Sequence, residues 1–345
     1  MGNWAQLPED LLALTAKRMT LFEDFLSFSG VCKSWRSVAI NDNFKGTEQI
    51  PWLMLSEKDK PDERQFVSLR KGGVIRTINY QKQGENDAWR LWVDYHLKRI
   101  TKHLSFVHKA VLSSSPEKSD DYVLVVIYGR SGYLAFWRPG DVSWAEVYAR
   151  TNSFCDIIFH KGLFYGVIGT GMVLAFDVWG PEPTLAWPVL QLPHRYIGQV
   201  KQPFLVESAG VVLMVIQDAS LPDFRDDDHF VYDNRDTSRV GYRICGFHVF
   251  KAFLSKGIWA EITSLGDNAL FLGDNASVSF DASRFPGIKA NCIYHTEDSW
   301  EFYERGGEVK DACIYYLEDG SRSSCYEGES FNSSCPPMWV NPPSF

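Results

Sequence analysis

The side chains able to do chemistry are scattered along the chain. The eight histidines are irregularly spaced, and His103 and His108 are five residues apart, which places them on different faces of a helix or a strand. Between residues 220 and 237, Asp223, Asp226, Asp227, Asp228 and His229 form an acidic cluster that could bind a hard cation. The polar, charge-dense composition of this stretch favours a solvated insertion loop instead. We expect no metal site.

Catalytic motifs are also missing from the sequence. It has no G-x-x-x-x-G-K-[ST] phosphate loop and no G-x-G-x-x-G after a strand. Gly328-Glu329-Ser330 begins like a nucleophile elbow, but Phe331 and Asn332 follow it and not the required glycine. The sequence therefore predicts no catalytic residue and no cofactor, so the protein is expected not to be an enzyme.

The amino-acid composition argues against two classes of binding partner, nucleic acids and membranes. Lys and Arg number 35 against 43 Asp and Glu, a net charge of −8, which opposes binding to a phosphate backbone. The longest apolar runs, 122–128 and 211–216, are the length of a strand and too short to span a membrane. Seven cysteines without a C-x-x-C pair, after an N-terminus with no signal-peptide pattern, predict a reducing location. We expect no nucleic acid or membrane partner and an intracellular protein of the cytoplasm, the nucleus or both.

Helix signals fill the first forty residues. Pro8 near a helix start, followed by two acids, and Lys17 and Arg18 near the far end predict a first short helix. Residues 20–23 form a capping box for a second helix, which Ser29-Gly30 should interrupt. A third helix fits residues 31–40.

This helical segment carries more large apolar side chains than it can bury by itself. A unit of about 40 residues is below the size at which a lone core usually suffices. Part of its apolar surface must therefore dock on a partner or on the rest of the chain. A helical cap on the following domain and a partner-binding module both satisfy that requirement.

The residues of this segment match an ordered motif. Leu7-Pro8-Glu9-Asp10-Leu11-Leu12, Glu23-Asp24-Phe25, Phe28 and the run from Val31 to Val38 together resemble an F-box in its plant form. The resemblance implies binding to the Skp-type adaptor of an SCF ubiquitin ligase and, through it, to a cullin scaffold. It also implies the residues at the adaptor-facing or packing positions, which are Leu7, Pro8, Leu11, Leu12, Phe25, Val31, Cys32 and Trp35.

After residue 50 the pattern becomes strand-like. Alternation over residues 89–97 fits a half-buried strand, although a helix remains possible there. Residues 122–128, 133–137 and 144–148, separated by turn formers, predict an antiparallel meander.

Internal repeats suggest the architecture. Leu134-Ala135-Phe136 recurs forty residues later as 174–176, and Trp144-Ala145-Glu146-Val147 recurs at 259–262. Cys-Ile-Tyr occurs at 292–294 and at 313–315, which predicts neighbouring strands of one sheet. Short antiparallel strands repeating near forty residues are typical of a β-propeller, here of about six blades at ~40–50 residues each. Trp144 and Trp259 are expected to wedge between blades. The alternative is a β-sandwich in which these short sequence repeats are coincidental.

The C-terminal part carries a second resemblance. Residues 259–276, Phe285-Pro286-Gly287, Leu317-Glu318-Asp319-Gly320-Ser321 and 336–340 are similar to the end of a plant-specific domain that often follows an F-box. That resemblance implies a kelch-like propeller that selects the protein to be ubiquitinated. The predicted fold is therefore an α+β multidomain protein, with a three-helix F-box at residues 4–44 and an all-β propeller at residues 51–345.

Three functions are consistent with this organisation. In the first, the chain is the substrate-recognition subunit of an SCF-type E3 ubiquitin ligase, with the F-box on the adaptor and the propeller on an unknown target protein. In the second, the propeller binds a small molecule or sugar, with enzymatic activity as an option, and the helices are a cap. In the third, the F-box binds its adaptor but ligase function is lost, which leaves a decoy or a scaffold.

Overall fold

The structure is a computed structural model of the 345-residue chain. It describes residues 7–19, 22–40, 43–44, 50–55, 63–69, 74–79, 107–115, 121–129, 131–149, 153–196, 200–220, 243–273, 277–296, 312–325 and 338–340. The strand predicted over 89–97 and the acidic segment 221–237 lie outside these residues. Within the described part of the chain, no helix is both long and apolar enough to cross a membrane.

Three short helices open the chain: α1 (Glu9–Ala16), α2 (Phe22–Ser29) and α3 (Lys33–Val38). α1 begins directly after Pro8, and its two first-turn acids match the positive end of the helix dipole. α2 ends at Ser29, next to Gly30, as the sequence predicts. Cys32 is fully extended, and this extended residue separates α2 from α3.

The helices pack around one apolar cluster, which we call the helical core. Its buried members are Leu12, Ala16, Phe22, Phe25, Phe28, Val38, Phe44, Trp52 and Met54. The last two belong to the first β-strand and not to the helices. The helical segment and the β-sheet region therefore share buried residues.

Twenty-one strands form five sheets in the described part of the chain, four of four strands and one of five. In hydrogen-bonding order, sheet 1 contains β21 (Met338–Val340), β1 (Trp52–Met54), β2 (Glu63–Ser68) and β3 (Val74–Asn79). Sheet 2 contains β4 (Val107–Leu112), β5 (Leu124–Tyr128), β6 (Tyr133–Trp137) and β7 (Ala145–Glu146). Sheet 3 contains β8 (Phe154–His160), β9 (Leu163–Ile168), β10 (Met172–Phe176) and β11 (Trp187–Gln191), in chain order.

The remaining two sheets follow in the chain. Sheet 4 contains β12 (Val200–Ser208), β13 (Val211–Ser220), β14 (Arg243–Phe253) and β15 (Ile258–Ile262). Sheet 5 runs in the order β17 (Ser277–Asp281), β16 (Asn268–Leu272), β18 (Cys292–Thr296), β19 (Ala312–Tyr316) and β20 (Arg322–Ser324). Pairing is antiparallel except between β16 and β18, which run parallel. Sheet 1 joins the first and the last described strands, because β21 pairs with β1 through Trp339 and Leu53.

The prediction of about six blades is wrong for the described residues, which form five sheets. It assumed ~40–50 residues per blade. More residues fall to each sheet than this, since residues 221–242 lie between β13 and β14 and residues 80–106 lie between β3 and β4.

The predicted repeats have mixed outcomes. The meander is confirmed as β5, β6 and β7, and the two Cys-Ile-Tyr segments are confirmed as the paired strands β18 and β19. Trp259 packs into the cluster between sheets 3 and 4, as expected of a wedge. Trp144 does not wedge between sheets, since it is 48 % exposed directly before the short outer strand β7.

A buried polar cluster connects edge strands of four sheets. Strand β4 contacts β8, β8 contacts β12, and β12 contacts β17. Lys109 of β4 and Asp156 of β8 form an ion pair with both side chains buried. The Asp156 Oδ2 atom accepts hydrogen bonds from the Leu205 backbone N–H at 2.8 Å and from the Ser277 hydroxyl at 3.2 Å. One carboxylate therefore links sheets 2, 3, 4 and 5. We call these four residues the central polar cluster.

Candidate functional site

The eight residues predicted at adaptor-facing or packing positions separate into two groups. Leu12 and Phe25 are buried members of the helical core. Leu7 and Trp35 are partly buried and pack against that core, and Cys32 is also partly buried. Leu12, Phe25, Leu7 and Trp35 therefore stabilise the helical segment from within.

The other three predicted residues, Pro8, Leu11 and Val31, are exposed. Leu14 and Ile40 are exposed as well, although the sequence reasoning did not assign them to the site. The helical spacing of Leu11 and Leu14, three residues apart, is the signal that could have found Leu14. We call the five residues Pro8, Leu11, Leu14, Val31 and Ile40 the exposed apolar set.

Large apolar side chains with this exposure are costly to leave in water. Leu11 is 46 % exposed, Leu14 and Val31 are each 55 % exposed, and Ile40 is 50 % exposed. Four such residues occur within about thirty positions of a segment that already has a filled core. Concentration of this kind is typical of a surface that binds another protein.

Aromatic rings hold the helices that present this set. The Phe25 ring lies 4.9 Å from the Phe44 ring, and Phe28 lies 4.6 Å from Trp35, both as centroid distances. Phe22 reaches the Trp52 ring of β1 at 6.1 Å. The exposed apolar set is therefore attached through packed rings to the first strand of the sheet region.

A second candidate site lies at sheet 2. Its cavity of about 220 Å³ is lined by Tyr128, Tyr133, Leu134, Glu146, Val147, Tyr148 and Ala149, and we call it the tyrosine cavity. The Tyr128 hydroxyl donates a hydrogen bond of 2.6 Å to Glu146 Oε1. This bond to a carboxylate, together with burial, raises the pKa of Tyr128 to about 12, so its phenol stays neutral. The Tyr128 and Tyr133 rings lie 5.8 Å apart.

The sequence reasoning missed the tyrosine cavity because strand register assembles it. Tyr128 and Tyr133 are five residues apart, and antiparallel pairing of β5 with β6 places them opposite each other. Pairing of β6 with β7 then brings Glu146 opposite Ala135. The predicted hairpin turn at residues 129–132 was the available signal, since residues flanking a tight turn face one another.

Sheet 4 holds a related arrangement around Glu261. Its carboxylate accepts hydrogen bonds from the Tyr196 hydroxyl at 2.7 Å and from Arg195 at 3.0 Å, and His248 Nδ1 lies 2.7 Å from the second oxygen. Burial acts to raise the pKa of Glu261, but the bonds from Tyr196 and His248 and the charge of Arg195 outweigh it and lower that pKa. Glu261 is therefore held as a carboxylate.

The central polar cluster has little capacity for chemistry on a ligand. Lys109 and Asp156 are both buried, and their charged groups bond each other and the chain. In the described part of the chain, no group of three or more His, Cys, Asp or Glu side chains is placed to hold a metal ion. Cys32 and Cys292 are free thiols.

Comparison with known proteins identifies both parts of the chain. A family model described as the KIB1-4 beta-propeller matches residues 27–316. The chain belongs to the KIB1-4 β-propeller family. A second family model, the F-box domain, matches residues 4–46. The resemblance to a plant F-box protein with a propeller is thereby confirmed for this KIB1-4 β-propeller protein.

Curated relatives of this KIB1-4 β-propeller protein come from Arabidopsis thaliana. F-box protein At2g17690 is 24 % identical, and the alignment covers 100 % of both chains. F-box protein At2g17036 is 26 % identical over 81 % of this chain and 79 % of that protein. F-box/kelch-repeat protein At1g57790 is 24 % identical over 99 % of this chain and 95 % of its own length. The likeness therefore extends through both the F-box and the propeller.

Proposed function

We propose that this protein is the substrate-recognition subunit of an SCF-type E3 ubiquitin ligase. The observation that carries the proposal is the exposed apolar set on a helical segment that matches the F-box family. In this role the F-box binds a Skp-type adaptor and, through it, a cullin, and the propeller binds a target protein. The protein acts inside the cell, in the cytoplasm, the nucleus or both, without a nucleic acid or membrane partner.

The proposed mechanism is proximity and not catalysis by this chain. Holding a target beside the ubiquitin-conjugating subunits raises the effective concentration of its lysines there. That effect requires a firm connection between the two binding parts. The strand β1 supports such a connection, because Trp52 and Met54 belong to the helical core while Leu53 belongs to the cluster between sheets 1 and 5.

Among the predicted adaptor residues, Pro8, Leu11 and Val31 are the ones that we propose touch the adaptor, and Leu14 and Ile40 join them. Their exposure leaves them free to bury apolar area in a complex, at about 25 cal/mol per Å² removed from water. We propose that Leu12 and Phe25 act indirectly, because their side chains are already buried in the helical core.

Co-expression of the full chain with a plant Skp-type adaptor tests the tethering step. We expect a stoichiometric complex, and we expect Leu11→Asp to abolish it because a charge would enter an apolar interface. The matched control is Leu185→Asp, since Leu185 is a 45 % exposed leucine of the propeller region. Undiminished binding by Leu11→Asp, or no binding by a folded wild-type chain, would contradict the proposal.

Ubiquitination of co-purifying proteins in cells would separate an active ligase subunit from a decoy or scaffold. A wild-type chain that enriches ubiquitinated proteins, while Leu11→Asp does not, would support the active role. The structure favours this role over a small molecule or sugar bound at the propeller centre, because the central polar cluster satisfies its own charges.

A further inference from the structure

Strand β1 is enclosed by its neighbours on both faces and at both edges. Its first and last side chains, Trp52 and Met54, belong to the helical core. Leu53 points to the opposite face of the strand and belongs to the cluster between sheets 1 and 5. The two edges of β1 pair with β2 and with β21. All three side chains are at most 2 % exposed, so the position of this strand is fixed by what surrounds it.

The helical segment needs this strand to complete its core. Helices α1 and α2 have eight residues each and α3 has six, and isolated helices shorter than about 12–15 residues are marginal in water. Two members of their shared core, Trp52 and Met54, come from β1. The Phe22 ring of α2 lies 6.1 Å from the Trp52 ring. The arrangement of the helices, and with it that of the exposed apolar set, therefore depends on where β1 lies.

The position of β1 depends in turn on β21. β1 is three residues long, and each of them pairs with β21, in the register Trp52–Val340, Leu53–Trp339 and Met54–Met338. On its other edge, β2 pairs with two of the three, Leu53 and Met54. Without β21, a very short strand would keep one paired edge and expose the other.

Trp339 anchors β21 in the body of the protein. Its side chain is 1 % exposed and belongs to the cluster between sheets 1 and 5, beside Leu53. Its ring lies 5.1 Å from the Phe271 ring and 6.4 Å from the Tyr294 ring of sheet 5, measured between centroids. Trp339 is not a member of the helical core. In the described residues, β1 is the strand that contributes side chains to both clusters.

We propose that the F-box helices adopt their adaptor-binding arrangement only when β21 has closed sheet 1. The last described strand is thereby coupled, through β1, to the first described helices. A chain whose β21 is missing or displaced retains the whole F-box motif but loses its adaptor surface. The step from helix arrangement to adaptor binding rests on the proposed function. The step from β21 to the helices rests on the packing and pairing of β1 alone.

This coupling connects the two binding parts of the chain. The propeller is the proposed target-binding part, and its sheet 1 has all four of its strands only when β21 is in place. Adaptor binding then reports that the propeller is closed. A chain with an open sheet 1 does not occupy an adaptor that a complete chain could use.

A chain ending at residue 336 tests the coupling, because it lacks β21 and retains every other described strand. Hydrogen exchange of its amides measures the helices and the sheets separately. We expect faster exchange in α1, α2 and α3 with sheets 3 and 4 still protected, and adaptor binding weaker by at least about tenfold. Protected helices together with full adaptor binding in this truncated chain would overturn the proposal.

Returning β21 as a separate peptide distinguishes loss of closure from general damage. The probe is a synthetic peptide of residues 334–345, and the same residues in scrambled order are the control. We expect the first peptide, and not the second, to restore both the protection of the helices and adaptor binding. Restored protection of β1 and β2 without the helices would contradict the coupling.

Two point variants apply if the truncated chain fails to fold. Trp339→Ala removes the anchor of β21. Phe250→Ala is the matched control, because Phe250 is also a 1 % exposed ring but lies in the cluster between sheets 3 and 4. Both should lower the melting temperature. Only Trp339→Ala should weaken adaptor binding, by at least about tenfold. Equal adaptor binding by the two variants would contradict the proposal.

Helix exchange separates the coupling from the proposed function. If the folded wild-type chain binds no adaptor, the ligase role fails, and the exchange rates of α1, α2 and α3 with and without β21 still decide the coupling. If the wild-type chain binds the adaptor and the chain ending at residue 336 binds it equally well, the coupling fails alone.

Discussion

The helical segment and the centre of the propeller place their side chains in opposite ways. The helical segment leaves leucine, valine and isoleucine side chains in solvent above a filled core. The propeller centre buries a lysine and an aspartate and pairs their charges within the chain. An exposed apolar side chain can still gain free energy by binding, whereas a buried and paired charge has already made its interactions. The difference supports the proposed binding role of the first region and a structural role for the second.

Removing the Asp156 carboxylate, which links four sheets, should cause the largest loss of stability. Asp156→Ala leaves the Lys109 ammonium buried without its partner and the Leu205 N–H without its acceptor. We expect a loss of about 3–5 kcal/mol in the free energy of unfolding, measured by urea denaturation.

The exposed ion pair of Arg138 and Asp141 provides the control for that measurement, with its side chains 39 % and 29 % exposed. Asp141→Ala should cost no more than about 1 kcal/mol, because solvent screens the pair. Equal losses of stability in Asp156→Ala and Asp141→Ala would show that the central polar cluster contributes no more than an exposed ion pair.

Two adjacent leucines of α1 sharpen the comparison. Leu12 is 1 % exposed and Leu11 is 46 % exposed. Leu12→Ala should lower the free energy of unfolding by about 2–5 kcal/mol through a cavity in the helical core. Leu11→Ala should change it by no more than about 0.5 kcal/mol. It should nevertheless weaken adaptor binding in a pull-down, and a stable Leu11→Ala chain with full binding would remove Leu11 from the interface.

The burial of His295 predicts how the free energy of unfolding depends on pH. Burial lowers the pKa of His295 to about 3, against about 6.5 in an unfolded chain. Between these values the unfolded state binds a proton that the folded state does not, so stability falls as pH drops below about 6.5. From pH 7.5 to 5.5 this residue should cost about 1 kcal/mol, and His295→Leu should lack that component in urea titrations. Identical pH profiles for the two chains would contradict it.

A small effect on stability is expected at Arg195. Its pair with Glu261 is largely exposed, so Arg195→Ala should cost less than about 1 kcal/mol. Urea denaturation of the two chains measures the difference, and a loss well above that value would show that solvent does not screen the pair.

Much of the fold could be predicted because its signals are local. Apolar spacing and turn formers marked the F-box pattern and the meander of β5 to β7. The sequence could not predict against which neighbours a strand packs its buried face. Leu134 and Phe136 of β6 belong to the same buried cluster as Leu174 and Phe176 of β10. The two copies therefore pack against each other, and a one-residue change in register is enough to reverse a face.

The candidate sites were predictable to a smaller extent. The sequence motif contained both Leu11 and Leu12, but only packing distinguishes the exposed one from the buried one. The tyrosine cavity depends on which residues lie opposite one another in sheet 2. Wedging was predicted for both Trp144 and Trp259 from identical neighbours. Only Trp259 has a neighbouring sheet that covers it.

The pairing of β21 with β1 has a consequence for synthesis of the protein. β1 ends at Met54 and its partner begins at Met338, so a ribosome makes nearly the whole chain between them. At about 5–20 residues per second, roughly 15–60 seconds pass between the synthesis of β1 and that of its partner β21. During that time the nascent chain presents an unpaired strand edge, which invites aggregation and chaperone binding. The F-box helices are complete well before the sheet beside them can close.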